Sequence, residues 1–205
     1  MRALELGDMA SAKSLIAAGA NVNAADRQGN TALMIAANRV ELGALRQLLV
    51  SGAAVDARNE DALTALFCTD SPEIARELIE HGADVNATSR FNITPLIEAA
   101  SYNPPIVRFL IANGANVNAR DVDGGTALMR AALLGRADNV KILIEAGADV
   151  NARDNKGGTA LSRVQWRIDT WSPEDPELEV VTENKKQLRA FRAISKLLKG
   201  VGATK

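Results

Sequence analysis

Gly19-Ala20-Asn21-Val22-Asn23-Ala24 is the stretch that decides how this chain folds, because it returns four more times. The copies span Gly52–Ala57, Gly82–Ala87, Gly114–Ala119 and Gly147–Ala152, and all read Gly-Ala-x-Val-(Asn/Asp)-Ala. Their first residues lie 33, 30, 32 and 33 positions apart. Self-similarity at a fixed period in this range marks stacked repeats rather than a closed globule. Each repeat then touches only its neighbours and presents an extended surface instead of a deep pocket. Such a surface favours binding a macromolecule over catalysis.

The stretch between two junctions has a physical reading. Asp26-Arg27-Gln28-Gly29-Asn30 is turn chemistry, with Gly29 free to take a positive φ. Thr31 is placed to cap a short helix through its hydroxyl. Leu33, Ala36 and Ala37 follow at helical spacing, and a second helix carries Ala44, Leu45, Leu48 and Leu49 inward. Gly52 stands where a left-handed residue stops that helix. Val55 is the apolar residue of the returning loop, and Asp56 restarts the turn. The Asn of Val-Asn-Ala (Asn23, Asn86, Asn118, Asn151) is expected to tie neighbouring loops together.

The unit resembles the ankyrin repeat. That family's Thr-Pro-Leu-His turn stands here as Thr31-Ala32-Leu33-Met34, Thr64-Ala65-Leu66-Phe67, Thr94-Pro95-Leu96-Ile97, Thr126-Ala127-Leu128-Met129 and Thr159-Ala160-Leu161-Ser162. The two motifs alternate in register over about residues 1–165. The resemblance implies an all-α solenoid of antiparallel helix pairs with projecting loops, stacked into a curved, L-shaped rod that recognises proteins or peptides. No repeat keeps the turn histidine and one keeps the proline, so an apolar residue such as Met34 or Phe67 takes over by packing.

Six units are expected, at about 1–24, 25–57, 58–87, 88–119, 120–152 and 153–200. The first is truncated, with Met1 already inside its opening helix and the segment prone to fray. The third runs 18 residues from Thr64 to Gly82, against 21 from Thr31 to Gly52, so its first helix should be very short. Asp70-Ser71-Pro72-Glu73 then starts its second helix with a cap, a first-position proline and an acid. The fourth unit lacks one residue and carries Asn103-Pro104-Pro105 between its helices. The sixth holds an acidic insert, about 167–185, with Pro173, Glu174, Asp175, Pro176, Glu177 and Glu179. A loop of that length is functional or disordered, and this one is expected to be the most mobile internal segment. A last helix, about 184–199, has Leu188, Phe191, Ile194, Leu197 and Leu198 on one side and Lys and Arg on the other, as a terminal cap needs.

Composition narrows the function. Apolar residues make up 47% of the chain but aromatics only 3%, which suits an aliphatic, alanine-rich helical core. Net charge is −1, so no basic excess is present to neutralise phosphates and nucleic acid is not expected as a partner. A single cysteine, Cys68, allows no internal disulfide and suits a reducing compartment. Neither a bilayer-spanning apolar run nor a signal peptide is visible, so a cytoplasmic monomer is expected, without membrane contact. His81, the one histidine, suits the end of a helix; Cys68 suits a small buried apolar role. No metal cluster, cofactor motif or catalytic constellation is present, and Gly124-Gly125 and Gly157-Gly158 belong to repeat turns. No enzyme activity is expected.

Function should sit where repeats differ on the concave side. By the resemblance, those places are the loop tips before each Thr and the helix positions seven and eight residues after it. From the third unit onward they turn apolar: Leu63, Phe91, Ile93, Tyr102, Val122, Leu133, Leu134 and Trp166, with Arg39, Arg90 and Arg167 at the rim. Stacking would join them into one patch that binds a protein or peptide. Other readings stay open. Trp171, Leu178, Val180 and Val181 of the insert could fold back over the patch and make Trp166 core. The chain could also be a regulatory or inhibitory part of a larger protein, or a purely structural or engineered array.

Overall fold

In this computed structural model the structure describes residues 8–102, 104–171 and 182–204. The chain divides between Pro95 and Leu96 into two compact units. The described residues are helical, without β-strands, apart from one isolated bridge between Ala25 and Thr31.

The first unit contains α1 (Met9–Ala17), α2 (Ala32–Asn38), α3 (Leu42–Val50), a four-residue 3-10 turn (Ala65–Cys68) and α4 (Pro72–Glu80). Leu33, Leu45, Leu48, Ile74 and Leu78 fill its core with alanines between them. Thr31 caps α2, its Oγ1 accepting from Met34 N at 3.4 Å. Thr64 shows what the shortened third repeat costs. Phe67 N–H turns to the Thr64 carbonyl at 3.1 Å, as a 3-10 turn requires, and Thr64 Oγ1 is left buried without a hydrogen bond. Ser71 caps α4 through Ile74 N at 3.3 Å, with Pro72 at its first position. Arg46 and Glu77, 2.6 Å apart, tie α3 to α4, and the guanidinium's hydrogen bond holds the Glu77 carboxyl below its ordinary value.

The second unit contains α5 (Pro95–Ala99, entered at the division), α6 (Pro104–Ala112), α7 (Ala127–Leu133), α8 (Ala137–Glu145), α9 (Ala160–Trp171) and α10 (Thr182–Gly200). Leu96, Ile97, Ile106, Leu110, Leu128 and Met129 are fully buried, and Phe191, Ile194 and Leu198 turn the apolar side of α10 inward. Thr126 and Thr159 cap α7 and α9 as Thr31 caps α2.

The asparagine junctions behave alike in both units. Asn23 Nδ2 donates to Gly52 O and its Oδ1 accepts from Ala54 N. Asn118 makes the same pair with Gly147 O and Asp149 N, and Asn151 with Gly202 O and Thr204 N. Gly202-Ala203 is therefore a further junction, in which only the Gly-Ala start of the hexapeptide is kept. Asp56 keeps the acceptor half alone, taking Asp84 N at 3.2 Å.

The insert is shorter than 167–185. Helix α9 continues to Trp171, stitched by Gln165 Nε2 to Asp169 Oδ1 and Thr170 Oγ1 to Trp166 O, both at 2.7 Å. Helix α10 starts at Thr182, earlier than the apolar spacing predicts. Residues 172–181 lie outside the described residues, and with them Leu178, Val180, Val181 and the mobility expectation. So do the side chain of Trp171 and the expected fraying of residues 1–7.

Among the described residues three that are not glycine take a positive φ, Val40, Ala62 and Asn92, and β-branched Val40 is the most strained of them. Val40, in the α2–α3 loop, has φ +57°, a region a β-branched residue enters only at a cost of about 1–2 kcal/mol. Gly135 occupies the matching place between α7 and α8, at φ +69°. Val40 is 49% exposed, so removing it forfeits little burial. Val40→Gly should raise unfolding free energy by about 0.5–1 kcal/mol after the glycine entropy cost. Urea unfolding checks this, and a lower midpoint would mean that the loop carries no strain.

Candidate functional site

The loop tips are shaped by one device repeated five times. The residue five places before each capping Thr accepts backbone N–H groups two and four residues on. Asp26 does so with Gln28 and Asn30, Asn59 with Asp61 and Leu63, Ser89 with Phe91 and Ile93, Asp121 with Asp123 and Gly125, and Asp154 with Lys156 and Gly158. Burial raises the Asp154 pKa, but Gly158 N–H, Arg163 and Lys156 N–H outweigh it, so the carboxyl sits below its ordinary value and stays an acceptor. Within each unit the tips also bond in sequence: Glu60 N to Gln28 O, Arg90 N to Asp61 O, and Asn155 N to Asp123 O. The backbone of the tips is thereby fixed.

The candidate residues fall into two groups. In the first unit, Phe91 is 55% exposed at its tip, Leu63 and Ile93 are half-buried, and Arg39 and Arg90 are exposed. Arg90 is engaged with the preceding tip, donating to the Glu60 carbonyl and lying 3.8 Å from Asp61. It braces the loop stack as well as standing at the rim. In the second unit, Tyr102, Val122, Leu134 and Trp166 are 46%, 48%, 41% and 56% exposed. Leu133 and Arg167 are half-buried. Arg167 places its guanidinium 5.3 Å from the Trp166 ring centre, a cation–π arrangement.

Tyr102 is the most closely braced of these. Its hydroxyl donates to Glu98 Oε1 at 3.0 Å. Arg130 of α7 donates to Glu98 Oε2 at 2.9 Å and to Ser101 Oγ at 2.6 Å. Arg136 Nε donates to the Ser101 carbonyl at 2.8 Å, and the buried Asn139 amide spans the Ala100 and Tyr102 carbonyls at 3.1 and 2.9 Å. Glu98, Arg130 and Asn139 are absent from the sequence-based candidates. The signal for the first two was available: both stand four residues after a capping Thr, one helical turn before position eight and on the same face.

Two hollows flank Gly135. One of about 390 Å³ is lined by Leu133, Leu134, Arg136, Arg167, Lys186 and Phe191 among others. The other, about 280 Å³, lies against Tyr102, Pro104, Arg136, Asp138 and Asn139. Gly135 suits this place: its φ is positive, and a Cβ would stand 3.3 Å from Phe191 Cζ, so the ring would have to shift slightly.

The remaining reactive side chains, Cys68 and His81, are engaged locally. Burial pushes the Cys68 thiol up to about 11, and its sulfur reaches the Thr64 carbonyl at 3.5 Å. His81 ends α4 with Nδ1 2.8 Å from the Glu77 carbonyl. Among the described residues no cluster of His, Cys, Asp or Glu could hold a metal ion, and no helix is long and apolar enough to cross a membrane.

Capped helix pairs, projecting tips and an asparagine ladder define a helical repeat protein built around a surface. The family model for ankyrin repeats (3 copies) matches residues 1–89 and 69–154, and the chain belongs to the ankyrin-repeat family. It is 39% identical over 97 residues to human B-cell lymphoma 3 protein, covering 43% of this chain and 21% of that protein. It is also 39% identical over 90 residues to the Caenorhabditis elegans ankyrin repeat and KH domain-containing protein mask-1, covering 42% of this chain and 3% of that one. The chain thus matches only a small part of the length of either curated relative. Ankyrin repeats are generally protein–protein interaction modules and generally not enzymes.

Proposed function

We propose that this chain is a non-catalytic recognition module that binds a protein or peptide through its loop tips and the ends of its inner helices. The observation carrying this reading is where apolar surface is left uncovered. Among the described residues, five of the nine exposed large apolar side chains, Phe91, Tyr102, Val122, Leu134 and Trp166, stand at those positions. Aromatic residues are the side chains that dominate interface energies, and the bracing of Tyr102 by Glu98 and Asn139 lowers the entropy lost on binding. In the first unit Leu63 and Ile93 add to the apolar surface beside Arg39 and Arg90, and in the second Leu133 does so beside Arg167. Within this reading the six-unit count, the monomeric state, the cytoplasmic location and the absence of nucleic acid among its partners stand as parts of the proposal.

Amide exchange with and without a purified partner tests it. Protection should rise at the tips around Phe91 and Val122 and at the ends of α7 and α9, while α3, α4, α6 and α8 stay unchanged. Protection confined to those four helices would overturn the face assignment.

A second reading places the module inside a larger protein, where it regulates or inhibits another domain. The small share of both relatives that the chain covers supports it, as does the relative named for ankyrin repeats together with a KH domain.

A further inference from the structure

The groove beside Gly135 differs from the rest of the surface in its charge. The whole chain is nearly neutral, at −1. Around this groove, however, stand Arg136, Arg167 and Lys186, with no carboxylate among its described lining residues. Its walls are apolar, formed by Leu133, Leu134 and Phe191. Arg136 cannot swing away freely, because its Nε is fastened to the Ser101 carbonyl at 2.8 Å, and Arg167 is stacked on Trp166. Two cations are therefore held in place beside an apolar slot, while exposed Lys186 lines it from α10.

We propose that this groove takes an acidic peptide segment of a partner protein, with an apolar side chain against Leu133 and Leu134 and carboxylates on Arg136, Arg167 and Lys186. The proposal rests on the protein-binding reading above and names the chemistry of the partner at the second unit. Positive potential and an apolar wall together select a peptide that carries both features. A neutral apolar segment would bring no counter-charge to these cations, and a uniformly acidic one would leave Leu134 in water. Because the guanidinium groups are held in advance, carboxylates gain the contact at little ordering cost.

The test uses the intact chain and two fluorescein-labelled helical peptides, one with a leucine face flanked by glutamates and one with glutamines in their place. Fluorescence anisotropy at low and high salt reads the affinity. The glutamate peptide should bind roughly tenfold tighter than the glutamine peptide at low salt, and the gap should shrink as salt rises. Lys186→Glu should erase most of that gap, while Lys141→Gln, an exposed charge change on α8, should leave it intact. Arg136→Gln should also weaken binding; because it removes the Ser101 contact, Lys186→Glu is the variant that decides if folding suffers. Equal affinity for the two peptides overturns the acidic assignment. Glutamate-peptide binding seen only after Glu174, Asp175, Glu177 and Glu179 are changed to Gln overturns it too, since the chain's own acidic residues would then hold the groove. Either failure alongside intact, Tyr102-dependent binding of a purified partner sinks this assignment alone. Loss of both sinks the recognition reading as well.

Discussion

Tyr102→Ala combined with Trp166→Ala weakens binding of a purified partner by about a hundredfold or more, while the melting temperature changes little. Buried aromatic anchors at interface centres each contribute about 2 kcal/mol or more, and every 1.4 kcal/mol is a factor of about ten. Both residues belong to the second unit, and both keep roughly half their surface in water in the free chain, at 46% and 56%. Their removal therefore costs little core. Glu98 loses the Tyr102 hydroxyl but keeps Arg130 at 2.9 Å, so no carboxylate is stranded. Tyr102→Phe separates ring from hydroxyl and should cost only a few-fold, as expected for one partly exposed hydrogen bond. Isothermal titration and thermal unfolding of the same variants give both quantities. A melting-temperature drop comparable to that of a core leucine truncation would mean that these side chains are packing residues.

Asn139→Ala should destabilise the second unit by about 2–3 kcal/mol. Asn139 is 1% exposed, and its amide joins α8 to two carbonyls at the end of α5, Ala100 and Tyr102. Truncation removes both bonds at once, buries carbonyl groups with fewer donors and leaves a void that close-packed neighbours fill incompletely. Asn139→Asp should be at least as damaging at neutral pH, because a carboxylate would face two carbonyl oxygens without a proton to offer. The loss should also reach function, since the clamp holds the Ser101–Tyr102 backbone. Urea unfolding followed by circular dichroism measures the first effect, and titration under native conditions the second. A midpoint within error of the parent chain would show that Arg136 and Arg130 brace this corner alone.

These two predictions draw on different depths of the sequence. Tyr102 and Trp166 are legible by alignment, because repeats place equivalent residues at equivalent heights, and residues that differ stand out. Asn139 is not legible. Its partners lie 39 and 37 residues away on irregular backbone, and nothing in a polar residue near the start of an apolar helix announces that it will be buried. The Glu98–Arg130–Ser101 network lies between, visible once position four after each Thr is compared, yet easily read as ordinary helix surface. The 3-10 turn follows from three missing residues, but the stranded Thr64 hydroxyl emerges only when Phe67 N–H is seen on the backbone carbonyl. The start of the insert is not legible in the hydrophobic pattern, because Arg167 to Trp171 shows little apolar periodicity. Helix α9 persists there through side-chain bonds such as Gln165 to Asp169, which a hydrophobic pattern does not register.

By itself the sequence determined the repeat, its period, its capping threonines, its asparagine junctions and hence the family. All of these rest on contacts within one unit or between adjacent units, and such contacts recur in the chain as spacing. Tertiary structure alone decided the division at Pro95, the fastening of Tyr102 and the gathering of Arg136, Arg167 and Lys186 around one apolar groove. Those outcomes depend on side chains from separate helices meeting in space, where direction and distance matter and position along the chain does not.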